Sequence, residues 1–200
     1  SGNALSIGSI GSMGCSRQGA FTLQNSDLIL VLGNRLPSIL TGVDFCKFGR
    51  DASIHIVDID INEHQKEGIK VDNFINADLQ VFFEFFPKTK ITQNMKVWNT
   101  QVFHWKNLFS NMQNFSKTKH VDLYELSDSL SQKMSNDSIL LTDSGFIEVI
   151  LPTNIDFYPK RRSIHPASQG SMGCALPAIL GVHSMSNKKQ EIIAVIGDGS

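Results

Sequence analysis

The strongest chemical signal in this 200-residue chain is the sequence Gly197-Asp198-Gly199-Ser200, which directly follows the apolar run 192–196. Glycine has no Cβ, so backbone N–H groups at such a turn can approach an anion closely. The carboxylate of Asp198 is a hard oxygen ligand of the kind that Mg²⁺ prefers. The β-branched run predicts a buried strand of a parallel sheet, which puts the turn at a strand tip. Such a tip suits a metal–diphosphate group, although a plain polar turn is the alternative for this motif considered alone.

A second turn of similar composition, Asp143-Ser144-Gly145, follows the apolar run 139–142. Between the two turns lie a polar, proline-containing stretch at 152–169, which we predict to be a loop, and a small-residue helix start at 170–181. Two short βα units in this order place both turns at the carboxyl ends of their strands. Ligands of open α/β sheets bind at that edge.

The first half of the chain has the same alternation of strands and helices. Apolar runs at 27–33 and 54–60 predict strands, and Asp78 is a good N-cap for a helix at 79–86 that Pro87 ends. We therefore predict an α/β protein with two doubly wound, mainly parallel-sheet units, both incomplete. The glycine spacing at 8–14 is only a weak dinucleotide-binding pattern, because no strand precedes it.

Residues 88–119 differ in character from the rest of the chain. Lys, Thr, Asn and Gln are frequent, and four aromatic residues recur at uneven spacing: Trp98, Phe103, Trp105 and Phe109. A linker that lies across a domain surface and an amphipathic helix with these rings in a core are both consistent with the pattern. We assign no function to the rings.

Composition excludes several classes of function. With 18 Lys+Arg against 19 Asp+Glu, the net charge is -1, which argues against nucleic-acid binding. No apolar run reaches the ~20 residues of a membrane span, and no signal peptide opens the chain. The cysteines Cys15, Cys46 and Cys174 lie far apart, which favours a cytoplasmic protein without a structural zinc site.

The ordered motifs resemble those of thiamine-diphosphate enzymes of the acetolactate synthase group. Residues 171–181, followed by 195–200, resemble the family's small-residue "SMG-x-x-LPA-x-x-G" helix and its GDGS turn. Residues 17–36, 40–42 and 56–60 resemble the family's central, Rossmann-like domain. The resemblance implies that 1–87 is the later part of the central domain, 88–119 a linker and 120–200 the first half of the thiamine-diphosphate-binding domain. We therefore expect the chain to be a fragment of a longer protein.

The resemblance also implies roles for particular residues. Asp198 would bind Mg²⁺, and Gly145, Gly170, Ser171, Gly197, Gly199 and Ser200 would lie at the diphosphate. Met172 would be the apolar wedge that keeps the cofactor bent, for which a flexible thioether is suited; an ordinary core methionine is the alternative. Met13 lies in an identical local string but has no such turn after it, and we predict a packing role. The family's activating glutamate and second metal ligand, an asparagine, are absent, so we expect no catalytic residue within this chain.

The chain departs from the family pattern at two places. Phe146 and Ile147 stand where the family has Gln-His after the glycine. The segment 36–40 lacks a second arginine and Ala20 replaces the usual asparagine, which leaves FAD binding open, with Arg17 and Arg35 as candidate contacts.

The resemblance implies a Mg²⁺- and thiamine-diphosphate-dependent carboligase. It would decarboxylate a 2-oxo acid such as pyruvate and join the product to a second carbonyl. The enzyme would be a homodimer or homotetramer that binds neither nucleic acid nor membrane. The alternatives are a related decarboxylase or lyase of another pathway, and a nucleotide-binding module without thiamine chemistry.

Overall fold

The structure is a computed structural model that describes residues 3–12, 15–64, 67–87, 95–109, 119–166, 169–186 and 189–199. The chain divides into two compact units. The first comprises residues 10–12 and 17–109, and the second comprises residues 1–9, 13–16 and 110–200. Within the described ranges, no helix is long and apolar enough to cross a membrane.

The first unit is built on a parallel sheet of order β1-β2-β3. The strands are β1 (Leu28–Leu32), β2 (Ser53–Asp58) and β3 (Asn73–Asn76), and the helices are α1 (Arg17–Gln24), α2 (Ser38–Thr41), α3 (Leu79–Phe85) and α4 (Lys96–Leu108). The β2 side chains Ile54, Ile56 and Val57 are fully buried, as the apolar run predicts for a central strand. Asp78 caps α3 by accepting a hydrogen bond from the Gln80 N–H, which confirms the predicted helix start.

Helix α4 lies inside the stretch predicted as a linker, so residues 96–108 are helical, as in the second of the two interpretations. Of its aromatic rings, that of Trp105 packs onto α1, with ring centroids 6.1 Å apart for Phe21 and Trp105, whereas Phe103 is exposed. Phe109, directly after the helix, lies 4.6 Å from the Phe21 ring. Residues 88–94 and 110–118 of this stretch lie outside the described ranges.

The second unit is built on a parallel sheet of order β5-β4-β6. Its strands are β4 (Ile139–Thr142), β5 (Arg162–Ile164) and β6 (Ile192–Val195), and its helices are α5 (Leu123–Lys133), α6 (Phe146–Asn154) and α7 (Ala175–Met185). All six strands within the described ranges therefore pair in parallel, which confirms the predicted α/β class.

The prediction of a loop at 152–169 was wrong at its start and at 162–164. Pro152 lies inside the last turn of α6, where proline removes a backbone hydrogen bond and clashes with the preceding turn; burial of Leu151 and Ile155 on either side of it offsets this cost. Arg162–Ile164 forms β5, which pairs with the start of β4 and is too short to produce a recognisable alternation.

The two faces of this sheet are covered by different helices. Leu140 packs with Met134, Leu151 and Ile155 on the face covered by α5 and α6. Ile139 and Leu141 pack with Ala175 on the face covered by α7. Successive β4 side chains thus alternate between two cores, and the sheet is doubly wound.

Candidate functional site

The strand order of the second unit creates a crevice at the carboxyl ends of β4 and β6. The chain runs from β4 through α6 to β5 on one side, and then through α7 to β6 on the other side of β4. The connections from β4 to β5 and from β5 to β6 thus run in opposite directions across the sheet, as at the ligand-binding switch point of doubly wound folds. Thr142 is in register with Val195, and the Asp143 N–H donates to the Val195 carbonyl at 3.1 Å. The turns Asp143-Ser144-Gly145 and Gly197-Asp198-Gly199 therefore leave adjacent strands at the same edge.

Asp143 is the fully buried carboxylate of this edge, and we did not predict it as a site residue. One carboxylate oxygen accepts the Gly173 N–H at 2.8 Å, and the other accepts the Cys174 N–H at 3.1 Å. These donors lie at the N-terminal end of α7, where a negative charge is favoured. An acidic residue directly after a fully apolar strand is the sequence signal that could have identified it.

The Cys174 thiol also faces Asp143, with its Sγ 3.4 Å from the same carboxylate oxygen that the Cys174 N–H contacts. Burial, followed by this hydrogen bond to Asp143, raises the pKa of the Cys174 thiol. Since the thiolate is the reactive form, Cys174 is expected to stay a neutral thiol at neutral pH rather than act as a nucleophile.

Met172 lies against the turn that follows β6. A Cβ atom built on Gly199 would come within 3.1 Å of the Met172 Cε, so glycine is what allows this approach. The Met172 residue is 69% exposed, so it does not belong to a core formed by the described residues. Its role as a cofactor wedge stays a prediction. Met13, the predicted packing residue, lies outside the described residues.

Gly145 and Gly170 lie on the other side of the crevice. Gly145 is the N-cap of α6 with a φ of 97°, and a Cβ there would have no neighbour within 4 Å. The left-handed backbone favours glycine, and the open space leaves room for a ligand. A Cβ on Gly170 would lie 3.7 Å from both the Ser144 Oγ and the Glu148 Oε2, so this residue is close to the turn after β4.

The predicted metal ligand Asp198 is exposed on its turn, as are Gly197 and Ser171. Among the described residues, no group of three or more His, Cys, Asp or Glu side chains could hold a metal ion. The role of Asp198 as a Mg²⁺ ligand stays a prediction. Ser200 lies outside the described residues.

The first turn of α6 differs from the family pattern in its packing as well as in its sequence. Phe146 is exposed, while Ile147 packs on the core beneath α6. The polar side chain of this turn is Glu148, whose Oε1 lies 3.7 Å from the Nδ1 of His165. Neither Glu148 nor His165 was predicted as a site residue, because their proximity depends on the pairing of β5 with β4.

A cavity of about 490 Å³ lies at the opposite edge of the same sheet, between β5 and the end of α7. Lys160, Arg162 and Met185 line it together with the residues that precede β4 and β6. None of the predicted site residues lies in this cavity.

Residues 143–200 match the thiamine pyrophosphate enzyme C-terminal TPP binding domain. Curated relatives are acetolactate synthase large subunits. That of Buchnera aphidicola subsp. Schizaphis graminum is 28% identical over 178 residues, which cover 88% of this chain and 31% of the relative. That of Corynebacterium glutamicum is 28% identical over 184 residues, which cover 88% of this chain and 29% of the relative. The isozyme 3 large subunit of Escherichia coli K12 is 23% identical over 185 residues, which cover 90% of this chain and 32% of the relative.

The chain is thus similar to thiamine pyrophosphate enzymes over its last part, and to acetolactate synthase large subunits over most of its length. The matched domain begins at Asp143 and contains every predicted site residue, so the crevice between β4 and β6 lies within it. This match weighs against the alternative of a nucleotide-binding module without thiamine chemistry. The chain spans about a third of the length of the curated relatives it matches.

The candidate FAD contacts in the first unit have protein partners of their own. The Arg17 guanidinium lies 5.6 Å from the centre of the Phe109 ring, and the Arg35 Nε lies 3.6 Å from the Glu63 carboxylate. A cavity of about 190 Å³ lies between α1 and α2 and is lined by Ala20, Leu40, Thr41 and Gly42 among others. It is smaller than the ~300–1,000 Å³ of typical ligand sites. FAD therefore gains no support from these residues.

Proposed function

We propose that the protein containing this chain is a Mg²⁺- and thiamine-diphosphate-dependent carboligase of the acetolactate synthase type. It would decarboxylate a 2-oxo acid such as pyruvate and transfer the resulting unit to a second carbonyl, as a homodimer or homotetramer. The proposal rests on the match at residues 143–200 and on relatives that are acetolactate synthase large subunits.

The types of residue at the crevice are suitable for binding thiamine diphosphate. The open space at Gly145 leaves room for a diphosphate, and Gly197 and Gly199 would present backbone N–H groups to it. Gly170, Ser171 and Ser200 would complete the diphosphate contacts, and Met172 would lie against the bent cofactor. Bound thiamine diphosphate would supply the nucleophilic carbon and the electron sink for decarboxylation.

The observation that carries the proposal is an exposed carboxylate, Asp198, between two glycines at the switch point of the sheet. We expect thiamine diphosphate binding to require a divalent ion, because Asp198 would hold the metal rather than the diphosphate. Asp198→Ala should therefore abolish cofactor retention, which equilibrium dialysis against buffers with and without Mg²⁺ measures.

The matched control is Asp128→Ala, which removes a partly exposed carboxylate of α5 that accepts a hydrogen bond from Gln132. This variant should bind the cofactor as the unchanged protein does. Metal-dependent binding of normal affinity in the Asp198→Ala variant would contradict the proposed role of Asp198.

A related decarboxylase or lyase is the second candidate. The observation that favours it is the exposed Phe146 and the partly buried Ile147 at the start of α6, where acetolactate synthases usually have polar Gln-His. Product analysis separates the two candidates: pyruvate converted to acetolactate supports the carboligase, whereas acetaldehyde as the sole product supports the decarboxylase.

A further inference from the structure

Asp143 joins the end of β4 to the start of α7 through both oxygens of one buried carboxylate. Its Oδ2 accepts a hydrogen bond from the Gly173 N–H at 2.8 Å, and its Oδ1 accepts one from the Cys174 N–H at 3.1 Å. Asp143 is itself held at the sheet edge, because it is fully buried and its own N–H donates to the Val195 carbonyl at 3.1 Å. A fixed carboxylate therefore determines where two successive N–H groups before α7 lie.

The backbone before α7 presents these two N–H groups together. Gly173 has a φ of 77°, in the left-handed region that favours glycine, and Cys174 follows in the right-handed helical region. Successive residues of opposite hand turn their N–H groups toward one point, which makes a concavity for an anionic group. Cys174 is the N-cap of α7, and its own side chain makes no capping hydrogen bond there. The acceptor at this helix end therefore comes from Asp143, a residue of another element.

Met172 lies directly before these two anchors. A peptide group is planar, so the N–H of Gly173 belongs to the same rigid unit as the Cα of Met172. The hydrogen bond to Asp143 therefore fixes the point from which the Met172 side chain starts. The thioether reaches the turn after β6, where its Cε lies 3.1 Å from the position of a Cβ on Gly199. Since Met172 is 69% exposed, packing against the described residues contributes little to this placement.

We propose that Asp143 is the positioning residue for Met172. Its carboxylate holds the peptide unit between Met172 and Gly173, and this keeps the thioether over Gly199 before any ligand binds. The action of Met172 on thiamine diphosphate rests on the proposed function, whereas its placement by Asp143 does not. A carboxylate that only caps α7 would instead contribute to stability without a specific effect on Met172.

The first experiment needs no cofactor and uses Asp143→Asn in the protein that contains this chain. Asparagine keeps the size of the side chain but replaces one acceptor oxygen by a donor nitrogen, so one of the two N–H groups loses its acceptor. The Met172 methyl signal is observed by NMR in protein labelled at the methionine methyls. We expect the signal to move in the variant toward that of Met185, which is 88% exposed and serves as the internal reference.

Two control variants accompany this measurement. Met134→Ala lowers the stability of the same unit from the core on the face of the sheet opposite α7, and should leave the Met172 signal in place. Cys174→Ala removes the thiol that lies 3.4 Å from the Asp143 carboxylate but keeps both N–H groups, and should also leave the signal in place. A Met172 signal that does not move in Asp143→Asn, or that moves equally in Met134→Ala, overturns the inference.

Amide hydrogen exchange in the unchanged protein tests the same contact even if Asp143→Asn does not fold. The Gly173 amide should exchange at least about a hundredfold more slowly than in an unstructured peptide of the same sequence, because its N–H is bonded to a buried carboxylate. Exchange at the rate of the unstructured peptide would show that Asp143 does not hold this peptide unit, which also overturns the inference.

The last experiment measures hydrogen exchange at the C2 atom of thiamine diphosphate bound with Mg²⁺. Asp143→Asn should slow this exchange about fivefold to tenfold, because a displaced Met172 no longer acts on the cofactor. The double variant of Asp143→Asn and Met172→Ala should be no slower than Met172→Ala alone, since both changes remove one function. Effects that multiply in the double variant contradict the inference, because Asp143 would then act independently of Met172.

These outcomes distinguish the inference from the proposed function. Absence of thiamine diphosphate binding in the unchanged protein contradicts the proposed function, and the methyl and amide measurements then decide the inference by themselves. Displacement of the Met172 signal in Asp143→Asn, with both control variants unaffected, supports the positioning role whatever the ligand is.

Discussion

The thioether of Met172 is exposed and lies over a glycine turn. The two interpretations of this residue, a cofactor wedge and a core methionine, predict different effects of its replacement by alanine. A wedge acts on the shape of a bound cofactor, so Met172→Ala should slow hydrogen exchange at the cofactor C2 atom by at least about tenfold, equivalent to ~1.4 kcal/mol of barrier. Because the side chain is largely exposed, the free energy of unfolding without cofactor should change by less than about 0.5 kcal/mol. Exchange is followed by NMR and stability by urea denaturation.

Two other methionines of the second unit provide the controls. Met134 is 4% exposed in the core beneath α5, so Met134→Ala should cost about 2–5 kcal/mol of stability. Met185 is 88% exposed near the opposite edge of the sheet, and Met185→Ala should affect neither quantity. An unchanged exchange rate in Met172→Ala would show that this methionine is no wedge.

Arg161 joins helix α5 to the segment before β5. Its buried guanidinium donates hydrogen bonds to the backbone carbonyls of four residues: Ser131, Met134, Ser135 and Asp156. The last carbonyl groups of a helix have no hydrogen-bond partner within the helix, and the guanidinium supplies donors and a positive charge at this end of α5. Lysine cannot reproduce the planar set of donors, so Arg161→Lys should lower the free energy of unfolding by about 2 kcal/mol.

The neighbouring residue gives the matched control for this prediction. Arg162 is exposed, and Arg162→Lys should change stability by less than about 0.5 kcal/mol. Urea denaturation of both variants tests the difference. Equal stabilities would mean that the hydrogen bonds of Arg161 contribute no more than those of a surface arginine.

Asp72 anchors the start of the central strand of the first unit. One carboxylate oxygen accepts the Ile54 N–H at 2.8 Å, and the other lies 3.1 Å from the Lys70 ammonium. The Ile54 hydrogen bond, followed by Lys70, lowers the pKa of Asp72 below its usual value. The folded state therefore gains stability from the ionised carboxylate above the unfolded pKa of ~3.9, and loses it as the pH falls through the lower, folded pKa.

We expect Asp72→Asn to be less stable than the unchanged protein at neutral pH and to lose less stability on acidification to about pH 2. Thermal unfolding across this range measures the effect. Glu84→Gln, a change at an exposed carboxylate of α3, should leave the acid profile as it is. A profile for Asp72→Asn that runs parallel to that of the unchanged protein would exclude the assigned role of Asp72.

At the scale of the whole molecule, the chain covers about a third of the acetolactate synthase large subunits that it matches. The family resemblance implies that the activating glutamate and the metal-binding asparagine lie outside residues 1–200. Residues 1–200 purified alone should therefore form no detectable acetolactate from pyruvate, even with Mg²⁺ and thiamine diphosphate added. A colorimetric assay for acetoin after acid treatment tests this, and measurable product would show that the catalytic residues lie within this chain.

Several features could be predicted from local sequence alone. The apolar runs before Asp143 and Gly197 form parallel strands, and both glycine turns lie at the carboxyl edge of one sheet. Asp78 is the N-cap of α3, and its side chain accepts a backbone hydrogen bond there, as predicted. These predictions held because strand burial, helix capping and glycine turns depend on residues close together in the chain.

The remaining features depend on how distant segments meet. Asp143 accepts hydrogen bonds from residues 30 and 31 positions away, and Met172 approaches Gly199 only because α7 crosses from β5 to the far side of β4. The proximity of Glu148 and His165 likewise follows from the pairing of β5 with β4. Strand β5 is too short to be recognised from its pattern of residue types. Strand order and crossover direction arise from the packing of two separate cores on one sheet, and no local pattern of residue types specifies them.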